Sequence, residues 1–120
     1  MCEYHSKFNE FMSGLNAQRG VLTRELSRLD KHISKMYHDL EGIDISQEYA
    51  LSYVTQLHDV LKKRRVVKDE MARLDAVLNP LKNVVNDVDS AVRSRRKVSR
   101  RWRRAYKMRL TIEEVLTTTN

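Results

Sequence analysis

Hydrophobic residues recur every three to four positions along most of the chain, which is the spacing of one face of an α-helix. Between residues 8 and 40 they form two series with a spacing of seven. These series are Met12, Arg19, Leu26, Ile33, Leu40 and Phe8, Leu15, Leu22, Leu29, Met36. All positions but Arg19 are apolar, a heptad pattern typical of helices that pack side by side. We therefore predict a long helix over residues 6–41.

A second heptad pattern follows after a short interruption. Gly42 is expected to end the first helix in the left-handed conformation that is common just past a helix. Either Asp44 or Ser46 can cap the next helix. The series that follow are Ala50, Leu57, Arg64, Met71, Leu78 and Tyr53, Val60, Val67, Leu74. They predict a helix over about 46–78 that packs antiparallel on the first, because the connection is short.

The dipeptide Asn79-Pro80 is typical of another helix start, since asparagine is a good N-cap and proline suits the first helical position. We predict a break here and a third long helix over about 80–110 that folds back on the hairpin. Its apolar strip is Leu81, Val84, Val88, Ala91, Val98, Trp102 and Ala105. A capping-box pattern at Thr111–Glu114 predicts a short final helix or turn. The chain thus divides into residues 1–79, 80–110 and 111–120.

The predicted fold class is all-α, a long antiparallel αα-hairpin with a third long helix whose C-terminal half is basic. Such a hairpin closes only a thin core and leaves flanking apolar residues such as Tyr37 and Val54 uncovered. We therefore expect a homodimer that forms a helical bundle. The seam of the hairpin and of the dimer is predicted to comprise Leu22, Leu26, Leu29, Ile33, Met36, Leu40, Leu57, Val60, Val67, Met71 and Leu74.

Positive charge is concentrated in residues 93–109, the basic segment. It contains ten arginines and lysines and no acidic residue, although the whole chain has a net charge of only +7. Such a cluster binds phosphates with strong salt dependence and little sequence preference. The predicted nucleic-acid-binding residues are Arg93, Arg95, Arg96, Lys97, Arg100, Arg101, Arg103, Arg104, Lys107 and Arg109, with the aromatic residues Trp102 and Tyr106.

The sequence leaves three details open. Trp102 and Tyr106 either stack on unpaired bases or anchor the helix to the hairpin. A secondary basic patch either extends the interface or is a solvated helix face; it comprises Lys62, Lys63, Arg64, Arg65 and Lys68. Arg19 and Arg64 interrupt the seams, so they either pair with a carboxylate of Glu41, Asp59 or Asp69 or extend into solvent.

No pattern of catalytic or metal-binding residues is present in the sequence. His32 and His38 are six residues apart, which places them on different helix faces and does not suit a metal site. Cys2 is the only cysteine, so no internal disulfide can form. We expect no enzymatic activity, no cofactor and no small-molecule substrate. No stretch approaches the roughly 20 apolar residues of a membrane span, so we expect a soluble cytoplasmic protein. A basic amphipathic helix with tryptophan also suits an anionic membrane surface, but the apolar strip here is narrow and interrupted by cations, so we do not expect a membrane partner.

Residues 37–75 resemble small helical proteins encoded by phages and prophages of Gram-positive bacteria. In those proteins, a helix that ends in His-x-Leu/Ile-Glu leads through a short turn into a helix rich in Lys-x-x-Arg-Arg and Lys-Asp-Glu motifs. The similar stretches here are His38–Glu41, Lys62–Arg65 and Lys68–Glu70. The resemblance covers about a third of the chain. It implies a viral accessory role, in the host cytoplasm.

Two functions are compatible with these features. The first is a non-enzymatic accessory protein that binds RNA or DNA through the phosphate backbone. The alternative is a phage-type inhibitor of a host nucleoprotein or defence nuclease, similar to an anti-CRISPR protein. In that case the basic segment would contact an acidic protein surface or the bound nucleic acid.

Overall fold

The computed structural model describes residues 2–43 and 46–118, except for the side chains of Gln47 and Thr118. Within these ranges the chain forms three helices: α1 spans Glu3–Glu41, α2 spans Gln47–Ala105 and α3 spans Ile112–Thr118. α1 packs against α2 and the molecule is a rod of 85 × 31 × 19 Å. The predicted all-α fold built on a long antiparallel hairpin is confirmed.

The turn between α1 and α2 is defined by local hydrogen bonds. Ser46 has an extended backbone, and its hydroxyl accepts a hydrogen bond from the N–H of Tyr49 at 3.2 Å. Ser46 is therefore the N-cap of α2, whereas the other candidate, Asp44, lies outside the described residues. Gly42 has a φ of −98° and donates to the carbonyl of Asp39 at 3.1 Å. The predicted left-handed conformation of Gly42 is thus wrong.

Polar contacts between the two helices fix their register. The contacts are His5 with Asp89 at 2.8 Å, Arg19 with Asp75 at 2.8 Å, Asp30 with Arg64 at 2.5 Å, and a hydrogen bond from the Tyr53 hydroxyl to the carbonyl of Met36. From one of the first three pairs to the next, the residue number on α1 rises by the same amount as the residue number on α2 falls. The hairpin therefore keeps one antiparallel register from the start of α1 almost to its end.

The core is a narrow seam between these helices. Leu29 and Leu78 are almost fully buried, at 1% and 0% exposure, and Met12, Ile33, Met36 and Val60 are also buried. Among the predicted seam residues, Leu40 is 41% exposed and the others are buried or half-buried. Because the seam is filled within one chain, an association between chains has to use another surface.

α2 continues through Pro80, so the predicted break and the predicted third long helix are wrong. The heptad pattern passes this point in phase, and Val85 and Val92 are half-buried whereas the predicted Val84 and Ala91 are exposed. Proline removes one helical hydrogen bond and costs about 3 kcal/mol in a helix interior. Pro80 is exposed, as is Ala76, whose carbonyl loses its donor, so water can satisfy that carbonyl.

The rod has an unusually large surface for its mass. It exposes 10116 Å², compared with about 6,800 Å² for a globular monomer of 14 kDa. Exposed apolar residues contribute to this surface on both helices. In the part of the chain that the structure describes, no helix combines the length and apolar character needed to cross a membrane.

Candidate nucleic-acid interface

The basic segment lies beyond the end of the hairpin. His5, in the second turn of α1, is level with Asp89 of α2. Residues 92–105 of α2 therefore extend past the start of α1 by about 20 Å, at 1.5 Å per residue. The sequence left open whether Trp102 anchors this part of the chain to the hairpin. Anchoring is wrong, because Trp102 lies past the start of α1 and is 47% exposed. Ala105 is also exposed, whereas Val98 is half-buried.

All ten cationic side chains of the basic segment are exposed to solvent. They are Arg93, Arg95, Arg96, Lys97, Arg100, Arg101, Arg103, Arg104, Lys107 and Arg109. Within the described residues, none of them forms an ion pair with a carboxylate. By contrast, Arg19 and Arg64 on the hairpin both have carboxylate partners. The segment therefore presents a concentration of positive charge that no carboxylate among the described residues pairs with.

The helical geometry also brings like charges together. Arg96 and Arg100, Lys97 and Arg101, and Arg100 and Arg104 are each four residues apart in α2. Like charges at this spacing destabilise a helix by a few tenths of a kcal/mol per pair. A polyanion that binds the segment removes this repulsion, so binding and helix stability reinforce each other.

Trp102 carries a cation on its ring face. The guanidinium carbon of Arg95 lies 4.5 Å from the centroid of the Trp102 ring, which is the geometry of a cation–π contact. Tyr106, one turn further along, is 74% exposed. Both aromatic side chains are therefore accessible on the basic segment, and Arg95 orients one face of Trp102 within a cationic environment.

An open groove lies where the basic segment leaves the hairpin. It has a volume of about 720 Å³. The groove is lined by Cys2 at the start of α1 and by Ala91, Val92, Arg95, Arg96, Ser99, Arg100 and Arg103 of α2. Its lining combines small apolar side chains with four arginines, so an anionic group with an apolar portion fits its chemistry better than a small neutral ligand.

α2 ends at a defined stop within the basic segment. Lys107 adopts a left-handed conformation with a φ of 50°, and the N–H of Met108 bonds to the carbonyl of Arg103 at 3.0 Å. This is the hydrogen bond of a Schellman motif, so Lys107 and Arg109 lie after the helix and not within it. Thr111 then caps α3 by accepting from the N–H of Glu114 at 3.2 Å, as the capping-box pattern predicted.

The secondary basic patch is separate from the basic segment. Lys62, Lys63, Arg65 and Lys68 are exposed, whereas Arg64 pairs with Asp30 across the hairpin. Because α2 is continuous, Lys68 and Arg93, the nearest members of the two clusters, are about 38 Å apart at 1.5 Å per residue. The expected approach of the patch to the basic segment depended on a helix that folds back, and it does not occur.

The two arginines within the seams pair with residues that sequence reasoning did not identify. Arg19 donates two hydrogen bonds to the carboxylate of Asp75, at 2.8 and 3.3 Å. The hydrogen bond from Arg19 lowers the pKa of Asp75 and the attraction of the nearby charge adds to this. Asp75 and Asp30 each flank the seam, and that flanking position was the signal available in the sequence. None of the three candidate partners, Glu41, Asp59 and Asp69, makes these contacts.

The histidines lie apart from one another. The ring of His5 is hydrogen-bonded to Asp89, and His58 lies 3.8 Å from Asp59 on the same helix. In the described part of the chain no group of three or more histidine, cysteine or acidic side chains is arranged to hold a metal ion. The features that stand out in this molecule are therefore the exposed cations of the basic segment and the groove at its base.

Comparison with protein-family models, with curated proteins and with solved structures gave no match to this chain.

Proposed function

We propose that this protein is a non-enzymatic accessory protein that binds RNA or DNA through its basic segment. The observation that carries the proposal is the exposure of ten cations, without carboxylate partners among the described residues. Eight of them lie on the end of α2 that extends past the hairpin, and Lys107 and Arg109 follow it. The hairpin anchors α2 up to the level of Asp89, just before the segment begins. The nucleic acid supplies the negative charge that the segment lacks.

The dimensions of the segment suit a phosphate backbone. Its helical part is about 20 Å long, and a duplex of that length carries about twelve phosphates at one charge per 1.7 Å. The eight cations around the helix, with Lys107 and Arg109 just after it, are therefore comparable in number with the phosphates that they can reach. An α-helix with side chains is about 10–12 Å in diameter, which is close to the width of about 12 Å of the major groove of B-DNA.

The chemistry of the segment favours backbone contact over base-specific recognition. Eight of the ten cations are arginines, which bind phosphates through two parallel hydrogen bonds. Trp102 and Tyr106 add exposed rings on which unpaired bases can stack, a contribution of about 1–3 kcal/mol per base. The proposal therefore predicts strong binding at low salt with little preference for sequence.

A charge-removal experiment tests the proposal. The variant with Arg100, Arg101, Arg103 and Arg104 replaced by glutamine should lose most of its affinity for a labelled oligonucleotide. The matched control replaces Lys62, Lys63, Arg65 and Lys68 by glutamine, which removes the same charge from the secondary basic patch. The control should bind within a factor of a few of the wild type. Equal losses in both variants, or full affinity in the first, would contradict a specific role for the basic segment.

Nuclease treatment separates nucleic-acid binding from the inhibition of a host protein. The protein is purified without nuclease, its ultraviolet absorbance ratio is measured, and material that travels with it is identified before and after nuclease digestion. Loss of the bound material on digestion supports the proposal. A protein partner that remains bound after digestion, and that binds the quadruple glutamine variant less well, favours the inhibitor alternative.

A further inference from the structure

The two ends of the rod carry opposite charge. Residues 36–61, around the turn, contain no lysine or arginine and carry the acidic residues Asp39, Glu41, Asp44, Glu48 and Asp59. The basic segment at the other end of α2 contains ten cations and no acidic residue. The rod is 85 Å long, far beyond the screening distance of about 8 Å at physiological salt. The two charged ends of one molecule therefore cannot neutralise each other.

An apolar surface lies among the acidic residues of the turn. On α2 the exposed fractions of Leu51, Val54 and Leu61 are 71%, 59% and 42%, and on α1 those of Tyr37 and Leu40 are 52% and 41%. We call these five residues the turn-end face. They are spaced by three or seven residues within each helix, so they share a side of that helix.

The turn-end face is continuous across both helices. Tyr37 directly follows Met36, and Val54 directly follows Tyr53, the two residues that are joined by a hydrogen bond across the seam. In an antiparallel helix pair, residues that directly follow such seam positions lie on the same flank. By the register of the hairpin, Val54 is level with Leu40, and Tyr37 lies about one helical turn away on the same flank.

The basic segment also exposes apolar residues, but the charged residues near them are positive. Val98 is half-buried, and Trp102 and Tyr106 are exposed, so an apolar and aromatic strip runs along a helix whose remaining surface is cationic. Its helical part is about 20 Å long, similar to the length of α2 between Leu51 and Leu61 with the adjoining turn. One end of the rod thus presents apolar residues among cations, and the other presents apolar residues on a stretch, residues 36–61, that carries five acidic residues and no lysine or arginine.

We propose that the turn-end face binds the basic segment of a second copy of this chain, in a head-to-tail arrangement. A symmetric contact between two turn ends would place acidic residues against acidic residues, and one between two basic segments would oppose ten cations to ten. Only the head-to-tail pairing brings opposite charges together. The surface of the chain exceeds the expectation for a globular monomer by about 3,300 Å², and a standard interface needs about 1,600 Å² in total.

This contact has two consequences. A head-to-tail contact leaves one free turn end and one free basic segment on every assembly, so it produces open chains unless the geometry closes a ring. Because the contact uses the same cations as a phosphate backbone would, nucleic acid and self-association should compete. The proposal itself does not require nucleic-acid binding, and it is tested on protein freed of nucleic acid.

The first measurement is the molar mass of the wild type by sedimentation equilibrium. At low salt the average mass should rise with protein concentration beyond twice the 14.2 kDa of one chain. At about 0.5 M salt, where charges are screened within about 4 Å, it should fall to one chain. A mass of 14.2 kDa at every concentration and salt, or a dimer that does not respond to salt, would overturn the proposal.

The second measurement mixes two variants that are each defective at one end. Leu51→Lys with Val54→Lys alters the turn-end face, and glutamine at Arg100, Arg101, Arg103 and Arg104 alters the basic segment. Each variant alone should sediment as one chain. An equimolar mixture should form a dimer of the two variants, because the intact turn end of one can bind the intact basic segment of the other.

The outcome of the mixture decides between geometries. If the glutamine variant alone still associates as the wild type does, or if the mixture stays monomeric, the head-to-tail contact is wrong. The matched control is Val66→Lys with Val77→Lys, which alters valines that are 69% and 50% exposed elsewhere on α2. This control should associate like the wild type. Circular dichroism confirms that every variant keeps the helical content of the parent protein.

Discussion

Arg19 and Asp75, 56 residues apart in the chain, are joined by two hydrogen bonds between their side chains across the hairpin. This pair stands between the buried Met12 and Leu29 on α1 and fills a position that the heptad pattern otherwise gives to an apolar residue. Since a carboxylate accepts both hydrogen bonds, the arginine is satisfied at the edge of the seam without disturbing the register.

The Arg19–Asp75 pair predicts a specific pH dependence of stability. Arg19 lowers the pKa of Asp75 in the folded state, so the contribution of Asp75 to the free energy of unfolding is complete above the ordinary aspartate pKa of about 3.9. It is lost as the pH falls through the lowered value. Asp75→Asn should therefore lower the melting temperature at neutral pH, and the difference from the wild type should shrink as the pH falls below the ordinary aspartate pKa of about 3.9.

The control for this prediction is Glu25→Gln. Glu25 also has a lowered pKa, caused first by its hydrogen bond from Arg28. Glu25 and Arg28 both lie on α1, three positions apart, and their side chains are 40% and 61% exposed. Since this pair does not join the two helices, its loss should change the melting temperature at neutral pH less than Asp75→Asn does. A larger effect from Glu25→Gln would contradict the role given to the cross-helix pair.

The narrow core predicts a large difference between buried and exposed leucines. Leu29 is 1% exposed and Leu51 is 71% exposed. Leu29→Ala should reduce the free energy of unfolding by about 2–5 kcal/mol, the usual range for a buried leucine. Leu51→Ala should change it by less than about 0.5 kcal/mol. Urea denaturation of the two variants measures both values, and similar losses would contradict the assignment of the seam.

Pro80 predicts a stabilising substitution. It lies inside α2 at an exposed position, so Pro80→Ala restores a backbone hydrogen bond to the carbonyl of Ala76 without altering the seam. The variant should be more stable by up to about 3 kcal/mol, the difference between proline and alanine in a helix interior. Thermal denaturation followed by circular dichroism tests this. If Pro80→Ala is destabilising, the helix is not continuous at this point.

Trp102 is the only tryptophan in the chain, so its fluorescence reports on the basic segment alone. It is 47% exposed and in contact with the guanidinium of Arg95. A single-stranded oligonucleotide that stacks on the ring should quench and shift this fluorescence, and Trp102→Ala should weaken binding by about 1–3 kcal/mol. Binding with unchanged fluorescence and unchanged affinity in Trp102→Ala would mean that the ring takes no part in binding.

Much of the hairpin could be predicted from the sequence because its two heptad series are nearly uninterrupted. The seam around Leu29 and Met36 and the cap at Ser46 follow from local patterns that tertiary contacts reinforce. The prediction failed at Pro80, where a local signal for a helix start was given more weight than a hydrophobic pattern that continues in phase. The spacing from Leu78 and Leu81 to Val85, Val88 and Val92 was the information that favoured one helix.

The candidate interface could be predicted in composition but not in placement. The ten cations are evident in the sequence, whereas their position beyond the hairpin depends on the length of α2 relative to α1. The expected dimer through the heptad seam illustrates the same limit. Leu29 and Ile33, two residues of that seam, are buried within one chain, so the seam is not free to join a second chain.

The salt dependence of binding tests the central claim most directly. The affinity of the wild type for a duplex oligonucleotide is measured over a range of salt concentrations and plotted as log K against log salt, with the quadruple glutamine variant of Arg100, Arg101, Arg103 and Arg104 beside it. Each phosphate contact contributes a slope of about −0.9. The wild-type slope should therefore be steeper than about −5, and the variant slope shallower by about 3–4. A wild-type slope near zero, or equal slopes for the two proteins, would contradict nucleic-acid binding through the basic segment.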